Sequence, residues 1–314
     1  MARVLITGGA GFIGSNIARL ALDHGYEVRI LDNLSTGSEE NIRGLQVQFF
    51  DGDLHDPERL REAMKGIKFV FHEAAASSSP MFVPDPSMGV ETNVLGFTRV
   101  LNAARRNNVE KVVYAMTSTM YGNSPLPSRE GHLLVSEVPN VYASSLLDRY
   151  FIAKQVESTT GIKTAGLVYF SVYGPYEAAK KGYANVASQF LWLIKRAKSP
   201  VLYGDGTQTR DFVHVEDVAR ANLLAAESNF SGGFVNVGTG VGTSMRQIVR
   251  IICKFLGKNV QPTYKSNPIF GYTHDTLAST VEAGRKIGFR AAIAIDKGLE
   301  SLVKFYDEHE TPHV

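Results

Sequence analysis

Two tyrosines in the segment VYASSLLDRYFIAK (141–154) could act as bases in redox chemistry, because an ionised phenol can take a proton from an alcohol. Tyr150 stands four residues before Lys154, a spacing that pairs side chains on one face of a helix. Tyr142 has Leu146 at the equivalent position. Which tyrosine takes the proton depends on the elements that place this segment in the fold.

The N-terminal residues predict a strand, a helix and a second strand, in that order. RVLITGG (3–9) is a short β-branched apolar run that ends at glycines, which is typical of a buried parallel strand. YEVRILD (26–32) predicts the second strand, so the whole forms a βαβ unit. Between them, apolar residues fall on one face of a helix, at Ile13, Ile17, Leu20 and Ala21.

The turn between the first strand and the helix carries three glycines. Gly8 permits a tight turn, Gly11 lets the backbone approach a pyrophosphate, and Gly14 lets the helix pack on the strand. The helix N-terminus would offer N–H donors to the diphosphate. Asp32 ends the second strand, where its carboxylate can accept hydrogen bonds from ribose hydroxyls and would repel a 2′-phosphate. Since DNLSTGSEEN (32–41) contains no arginine, we expect NAD rather than NADP.

The composition is that of an ordinary globular chain, with 44% hydrophobic and 20% charged residues among 314. A net charge of +2 gives no indication of a nucleic-acid or membrane surface. No apolar run approaches the ~20 residues that span a bilayer, and no signal peptide precedes the first strand. The single cysteine, Cys253, excludes an internal disulfide and favours a reducing compartment. We therefore expect a cytoplasmic protein.

HETPH (309–313) matches a zinc-protease pattern, but Pro312 would break the helix this pattern needs, so we expect no metal.

The motifs of this sequence together resemble those of the extended short-chain dehydrogenase/reductase superfamily. The glycine spacing G-x-x-G-x-x-G carries part of the resemblance, and further motifs follow in the family's order over nearly the whole chain. They are GDLHD (52–56), FVFHEAAA (69–76), ETNVLGFTRVLNAA (91–104), VVYAMTSTMYG (112–122), VYFSVYGP (168–175), YGDGTQTRDFVHVEDVARA (203–221) and FVNVGTG (234–240). Within the superfamily, the chain resembles the NAD-dependent nucleotide-sugar epimerase/dehydratase family, whose best-known member is UDP-glucose 4-epimerase.

The alternation of strands and helices up to about residue 170 predicts an α/β fold with a doubly wound parallel sheet. The resemblance implies that residues 1–170 form an NAD-binding Rossmann domain. Residues 171–314, rich in loops, glycine and proline, should form a smaller C-terminal α/β domain for the nucleotide sugar, with some segments folding back on the first. The cleft between the two domains is the expected active site.

The resemblance also implies roles for residues at matching positions. Tyr142 and Thr117 would be catalytic, since Tyr142 precedes Tyr169 by the family's spacing of 27 residues. The cofactor would contact Gly8, Gly11, Phe12, Ile13, Gly14, Asp32, Asn33, Asp53, Leu54, Ala74, Ala75, Asn93, Tyr142 and Phe170. The substrate would contact Thr117, Ser118, Ser171 and Arg210, with the arginine on the diphosphate.

If Tyr142 is the catalytic tyrosine, Tyr150 is an ordinary helix-surface residue. Aligning Tyr150 with the family's tyrosine instead would delete two turns of the helix, about 12 Å of rise. Leu146 then stands where the family has a lysine that holds the nicotinamide ribose and lowers the pKa of the tyrosine. The cationic nicotinamide ring, Lys180 or Lys181 could supply the missing charge, although a solvated loop is the other interpretation of this lysine pair.

The substrate side shows further departures from the family pattern. Ser171 replaces an asparagine, and IFGYTHDT (269–276) lacks an arginine that commonly binds a phosphate. Ser118 and Thr119 stand where dehydratases have Asp-Glu, so dehydration is not expected.

The implied activity is NAD-dependent epimerisation of a nucleotide-diphosphate sugar, of the UDP-glucose/UDP-galactose 4-epimerase type. The alternatives are 6-epimerisation of a heptose nucleotide, net oxidation of a small alcohol, and a catalytically weakened NAD-binding sensor or scaffold, suggested by Leu146. The family also implies a homodimer in which the helix at roughly 93–107 and the helix after Tyr142 form a four-helix interface.

Overall fold

The computed structural model describes residues 1–133, 135–267 and 272–312. Its strands are β1 (Arg3–Thr7), β2 (Glu27–Asp32), β3 (Val47–Asp51), β4 (Phe69–His72), β5 (Lys111–Thr117), β6 (Lys163–Tyr169), β7 (Ser171–Tyr173), β8 (Val201–Tyr203), β9 (Thr209–His214), β10 (Gly233–Val237), β11 (Gly242–Ser244) and β12 (Thr263–Lys265). Its α-helices are α1 (Phe12–Asp23), α2 (Pro57–Met64), α3 (Pro86–Val90), α4 (Phe97–Arg106), α5 (Val141–Thr160), α6 (Val186–Lys195), α7 (Val215–Glu227), α8 (Met245–Leu256), α9 (Val281–Ile287) and α10 (Ile295–Glu308). A π-helical segment, Glu91–Gly96, joins α3 to α4.

A parallel sheet of seven strands forms the centre of the molecule, in the order β10-β6-β5-β4-β1-β2-β3. The chain builds β1, β2 and β3 towards one edge and then returns to add β4, β5 and β6 on the other side of β1. The strand order therefore reverses between β1 and β4, and open α/β sheets bind ligands beyond the carboxyl ends of the strands at such a point. The predicted doubly wound parallel sheet is confirmed.

Helices cover both faces of this sheet, because each face is apolar and must be buried. On one face α1 and α7 pack against each other and against the strands, and on the other face lie α2, α4 and α5. The predicted apolar face of α1 meets the first of these cores, where Ile17 and Ala21 are fully buried and Ile13 and Leu20 are partly buried.

A second, smaller core lies in the C-terminal half of the chain. It contains the three-stranded sheet β11-β9-β7 and the pair β12-β8, with α6, α8 and α10 packed around a cluster that includes Trp192 and Tyr306. However, α7 and β10 lie beyond residue 170 and belong to the large sheet and its helical layer. A domain boundary at 170 therefore stays a prediction, since chain from both sides of it builds the first core.

Within the described ranges, we find no helix that is both long and apolar enough to cross a membrane.

Candidate active site

The glycine-rich turn after β1 is packed so closely that side chains would not fit. Gly8 has a φ of 73°, and a Cβ at this position would lie 2.6 Å from the backbone nitrogen of Ala74. A Cβ at Gly14 would collide with the carbonyl oxygen of Gly8. The helix α1 begins next to this turn with Gly11 as its N-cap and without a side-chain cap, so its first N–H groups can bind an anion. Phe12 and Ile13 form the first turn of that helix. The cradle fits a pyrophosphate.

Acidic residues end the next two strands at the same edge of the sheet. Asp32 is buried at the end of β2, and its two carboxylate oxygens accept hydrogen bonds from the backbone N–H groups of Ala10 at 2.9 Å and Leu34 at 2.8 Å. Burial raises the pKa of Asp32, against the opposing effect of these hydrogen bonds. After β3, Asp53 accepts a hydrogen bond of 2.6 Å from the Asn33 side chain, and Leu54 is buried. These groups fit an adenosine ribose and the base beside it.

The predicted residues Ala74, Ala75 and Asn93 lie between the glycine turn and α5. Asn93 is fully buried, and its side-chain oxygen accepts a hydrogen bond of 2.9 Å from the N–H of Ala76. Its side-chain nitrogen donates to the Ser145 hydroxyl at 2.9 Å. Asn93 thus ties the turn after β4 to α5, where Tyr142 lies.

The structure brings Tyr142 and Thr117 together. Thr117 is the last residue of β5, and Tyr142 is the second residue of α5, whose N-cap Asn140 accepts a hydrogen bond from the Ala143 N–H at 3.0 Å. Burial raises the pKa of the Tyr142 phenol, while hydrogen bonding with Thr117 and the charge of Arg149 act in the opposite direction. The ring of Phe82 lies 5.8 Å from the Tyr142 ring, centroid to centroid. A phenol held beside a hydroxyl can remove a proton from an alcohol placed between them.

Tyr150 lies elsewhere on α5, away from Thr117. Its ring packs edge-on against Phe234 of β10 at 4.9 Å, and the Lys154 ammonium lies 5.7 Å from the ring centroid. Tyr150 and Lys154 are therefore neighbours on one face of α5, as their spacing of four residues predicts.

No lysine takes the position one turn after Tyr142, because Leu146 is there and is only 3% exposed. One interpretation of the sequence placed Lys180 and Lys181 in a solvated loop. Lys181 is exposed, as that interpretation expects, but Lys180 is partly buried and does not fit it. The Lys180 ammonium binds the carboxylate of Glu177 at 3.2 Å, and this carboxylate is fully buried. A buried carboxylate needs such a partner, since an unpaired charge is costly away from water.

Reasoning from the sequence missed two ionisable residues: Arg149, whose charge acts on Tyr142, and Glu73, whose carboxylate interacts with Arg149. Arg149 of α5 is fully buried, and Glu73, directly after β4, accepts a hydrogen bond of 2.8 Å from the Tyr169 hydroxyl. Burial raises the pKa of Glu73 to about 7, although Tyr169 and the charge of Arg149 oppose this effect. Burial lowers the pKa of Arg149 to about 10, which leaves it protonated at neutral pH. The spacing of seven residues between Tyr142 and Arg149, two helical turns, was the available signal.

The predicted substrate residues lie on β5, β7 and β9 or directly after them, since Ser118 follows Thr117. Phe170, a predicted cofactor residue, is buried with its ring 6.3 Å from that of Tyr121. Ser171 begins β7, which pairs with β9, the strand that carries Arg210. The predicted motif IFGYTHDT lies only partly within the described chain, since residues 268–271 are outside it.

Arg210 is held by the chain around it. Its guanidinium donates to the carbonyl oxygens of Thr209 and His274 at 2.7 Å and of Thr273 at 2.8 Å. The ring centroid of Tyr272 lies 4.9 Å from the guanidinium carbon, and its hydroxyl interacts with the same group. Carbonyl groups use three of the five N–H donors of a guanidinium in this way, which leaves up to two for a phosphate.

In residues 1–133, 135–267 and 272–312, no cluster of three or more His, Cys, Asp or Glu side chains could hold a metal ion. His313 of the HETPH motif lies outside these ranges.

Comparisons with known proteins agree with this geometry. The family model described as "NAD dependent epimerase/dehydratase family" matches residues 4–238. The UDP-glucose 4-epimerase of Thermus thermophilus, solved as a complex with NAD, is 33% identical with a TM-score of 0.86 over 97% of this chain and 99% of that one. The UDP-N-acetylglucosamine 4-epimerase of Methanobrevibacter ruminantium, solved with UDP-N-acetylmuramic acid, is 32% identical with a TM-score of 0.90 over 98% of each chain. The ADP-L-glycero-D-manno-heptose-6-epimerase of Helicobacter pylori is 29% identical, with a TM-score of 0.86 over 96% of this chain and 95% of that one.

Proposed function

Because the chain belongs to the NAD dependent epimerase/dehydratase family, we propose that it epimerises a nucleotide-diphosphate sugar, with NAD as its cofactor, at C4 of a UDP-sugar. The observation that carries the proposal is the pairing of Tyr142 with Thr117 at the strand ends where the cofactor residues converge. NAD, when bound, accepts a hydride from the sugar carbon and returns it, so the reaction has no net redox change. The glycine turn, Asp32 and Asn33 would hold its diphosphate and adenosine ribose.

Tyr142 is the proposed base. Its phenolate would take the proton of the sugar hydroxyl, and the Thr117 hydroxyl would hold that oxygen in line by a hydrogen bond. After the keto-sugar turns in the pocket, the same phenol returns the proton to the carbonyl oxygen, now on the other face of the sugar. One base thus serves both directions, since each half-reaction leaves the tyrosine in the state the other needs.

The nucleotide would anchor the sugar during this turn. The guanidinium of Arg210 is already fixed by its neighbours, so it loses little freedom when its remaining N–H donors bind a diphosphate. Binding energy from a part of the substrate that does not react can then hold the intermediate in place while the sugar rotates.

Two alternative functions share this fold, and assays can distinguish them from the proposed one. A heptose 6-epimerase would act on an ADP-heptose, whereas the proposed 4-epimerase acts on a UDP-sugar. Net oxidation of an alcohol would accumulate NADH, which an epimerase does not do.

The test is turnover of UDP-galactose, UDP-N-acetylgalactosamine and an ADP-heptose, followed by chromatography of the sugar nucleotides and by NADH absorbance. Tyr142→Phe should lower turnover at least ~1,000-fold, because the phenylalanine cannot take a proton. Tyr150→Phe is the matched control on the same helix and should stay within a few-fold of the unmutated protein. Activity that survives Tyr142→Phe but not Tyr150→Phe would contradict the assignment.

We also propose that the protein is a cytoplasmic homodimer. Exposed apolar residues on the face of α5 and on the π-helical segment before α4 support the dimer, since Phe151 is 43% exposed and Leu95 is 44% exposed. These two segments pack against each other in the protomer. Together with a symmetric copy they would form a four-helix interface.

A further inference from the structure

Arg149 is a buried cation that contacts three segments of the active site. Its side chain is 0% exposed, and its guanidinium donates to the carbonyl oxygens of Asn93 at 2.9 Å, Ala115 at 3.1 Å and Ala74 at 2.9 Å. Ala74 belongs to the turn beside the glycine cradle, and Ala115 lies two residues before Thr117 on β5. All three acceptors are neutral, so the hydrogen bonds orient the guanidinium without cancelling its charge.

The geometry of α5 directs this charge towards Tyr142. At 3.6 residues per turn, a residue seven positions after Tyr142 lies within about 20° of it around the helix axis, whereas Leu146 lies about 40° away. Helical side chains also lean towards the helix N-terminus, so a long side chain at 149 reaches back past its own Cα towards residue 142. Leu146, which lies between these two positions on α5, is buried, and an electrostatic interaction is weakened less where water is excluded.

The ionisable groups around Arg149, apart from Glu73, do not compensate its charge. Glu73 and His72 face it from β4 and the turn after it, Tyr114 from β5 and Tyr169 from β6. Burial keeps His72 neutral by lowering its pKa, and it raises the pKa of both tyrosines far above neutral pH. Within the described parts of the chain, no carboxylate forms a salt bridge with Arg149.

We infer that Arg149 is the fixed positive charge that stabilises the phenolate of Tyr142, and that it takes over the electrostatic part of the role of the lysine replaced by Leu146. It acts through Tyr142 and is therefore a positioning residue. The inference rests on the proposed function of Tyr142 as the base.

Glu73 sets how much of this charge Tyr142 experiences. Its carboxylate interacts with Arg149 and is held by the Tyr169 hydroxyl, to which Asn222 donates at 2.8 Å. When Glu73 is neutral, the full charge of Arg149 favours the phenolate. When Glu73 ionises, it offsets part of that charge. Arg149 and Glu73 therefore act in opposite directions on the same phenol, which gives two variants with opposite expected signs.

The experiment measures the ionisation of Tyr142 in the NAD-loaded, full-length protein in two ways. One is the pH dependence of turnover, and the other is an ultraviolet difference titration of phenolate in which the Tyr142→Phe protein is subtracted. Arg149→Gln and Arg149→Met remove the charge, and Arg149→Lys keeps it. We expect the uncharged variants to ionise at higher pH, and each rise of about one in the pKa of Tyr142 lowers the phenolate fraction at pH 7 about ten-fold. Arg149→Lys should recover most of that loss, whereas a purely structural role would not distinguish lysine from glutamine in this way.

Glu73→Gln is the second variant, and we expect it to move the ionisation of Tyr142 to lower pH. Uncharged variants that fold, bind NAD and ionise at the pH of the unmutated protein would overturn the inference. If the uncharged variants do not fold, an unchanged titration in Glu73→Gln would overturn it instead. Failure of the proposed function is recognised separately, because the unmutated protein would then turn over no nucleotide sugar, or Tyr142→Phe would retain the turnover, whatever the titrations show.

Discussion

Leu146 and Arg149 follow Tyr142 by one and two turns of the same helix, and on our inference Arg149 takes over only one of the two roles that the resemblance implies for a lysine. A lysine both donates hydrogen bonds to the nicotinamide ribose and carries a charge. Leucine cannot donate, so this chain forgoes that contact. The electrostatic effect acts over a longer distance, and a buried arginine two turns away can supply it.

Restoring the lysine is therefore expected to harm the protein while Arg149 is present. Leu146→Lys places an ammonium in an apolar, buried position beside an existing cation, and burial alone can lower the pKa of a lysine by about 3–5. The unfolded chain then binds a proton more tightly than the folded one, so the loss of unfolding free energy should grow as the pH falls from about 10 to neutrality. Urea unfolding at pH 7 and pH 10 measures this difference.

The double variant Leu146→Lys/Arg149→Met supplies the control for that experiment. It removes the like charge but not the burial, so the double variant should lose less stability at pH 7 than Leu146→Lys does and should bind NAD more tightly through the ribose hydroxyls. If the single and double variants lose the same stability at pH 7, Arg149 does not influence position 146.

Glu73 makes the stability of the protein depend on pH. Its pKa is raised from 4.5 to about 7 by burial, so the folded protein holds this proton more tightly than the unfolded chain does. The stabilisation is complete below about pH 4.5 and is lost as the pH rises to about 7, by at most ~3 kcal/mol. Glu73→Gln should remove this slope in urea unfolding measured between pH 4 and pH 8. Glu58→Gln, on the exposed face of α2, should leave the slope as it is.

At the scale of elements, the first βαβ unit could be predicted from the sequence because its signals are local. The strand predicted over 26–32 runs from Glu27 to Asp32, and the predicted face of α1 is the one that packs in the core. The glycines of the turn are as informative, since a Cβ at Gly8 would collide with the backbone after β4 and a Cβ at Gly14 with the turn itself. Local patterns of this kind can be interpreted without knowing which residues from far along the chain pack against them.

The arrangement of Arg149 and Glu73 could not be predicted in the same way. A charged residue in a helix is usually solvated, and Arg149 is buried only because the turn after β4, the π-helical segment and β5 present carbonyl groups to it. The position of β10 in the sheet could not be predicted for the same reason. It lies far along the chain in the region assigned to the second domain, and its pairing with β6 depends on a contact that no local pattern encodes.

At the scale of the whole molecule, the proposed dimer would cover the exposed apolar side chains of Leu95 and Phe151. Leu95 and Phe151 are each more than 40% exposed, although the segments that carry them also bury Asn93, Leu147 and Ala153 against the sheet. A segment that is buried on one face and apolar on the other is typical of a layer between two cores. In a two-fold symmetric dimer each of these side chains appears twice, so the interface would gain their burial twice over.

The dimer is tested by placing charge on that face. Leu95→Lys/Phe151→Lys should convert the protein to a monomer in sedimentation velocity, because burying each large apolar side chain contributes roughly 1.5–3 kcal/mol and burying an ammonium would cost more. Val281→Lys is the matched control: Val281 is 69% exposed and begins α9, which packs on β10, so this substitution should leave the dimer intact. The monomeric double variant should still bind NAD, since the predicted cofactor residues all lie within one protomer. An unmutated protein that sediments as a monomer, or a dimer that survives the double substitution, would contradict this interface and leave the apolar face of α5 to another partner.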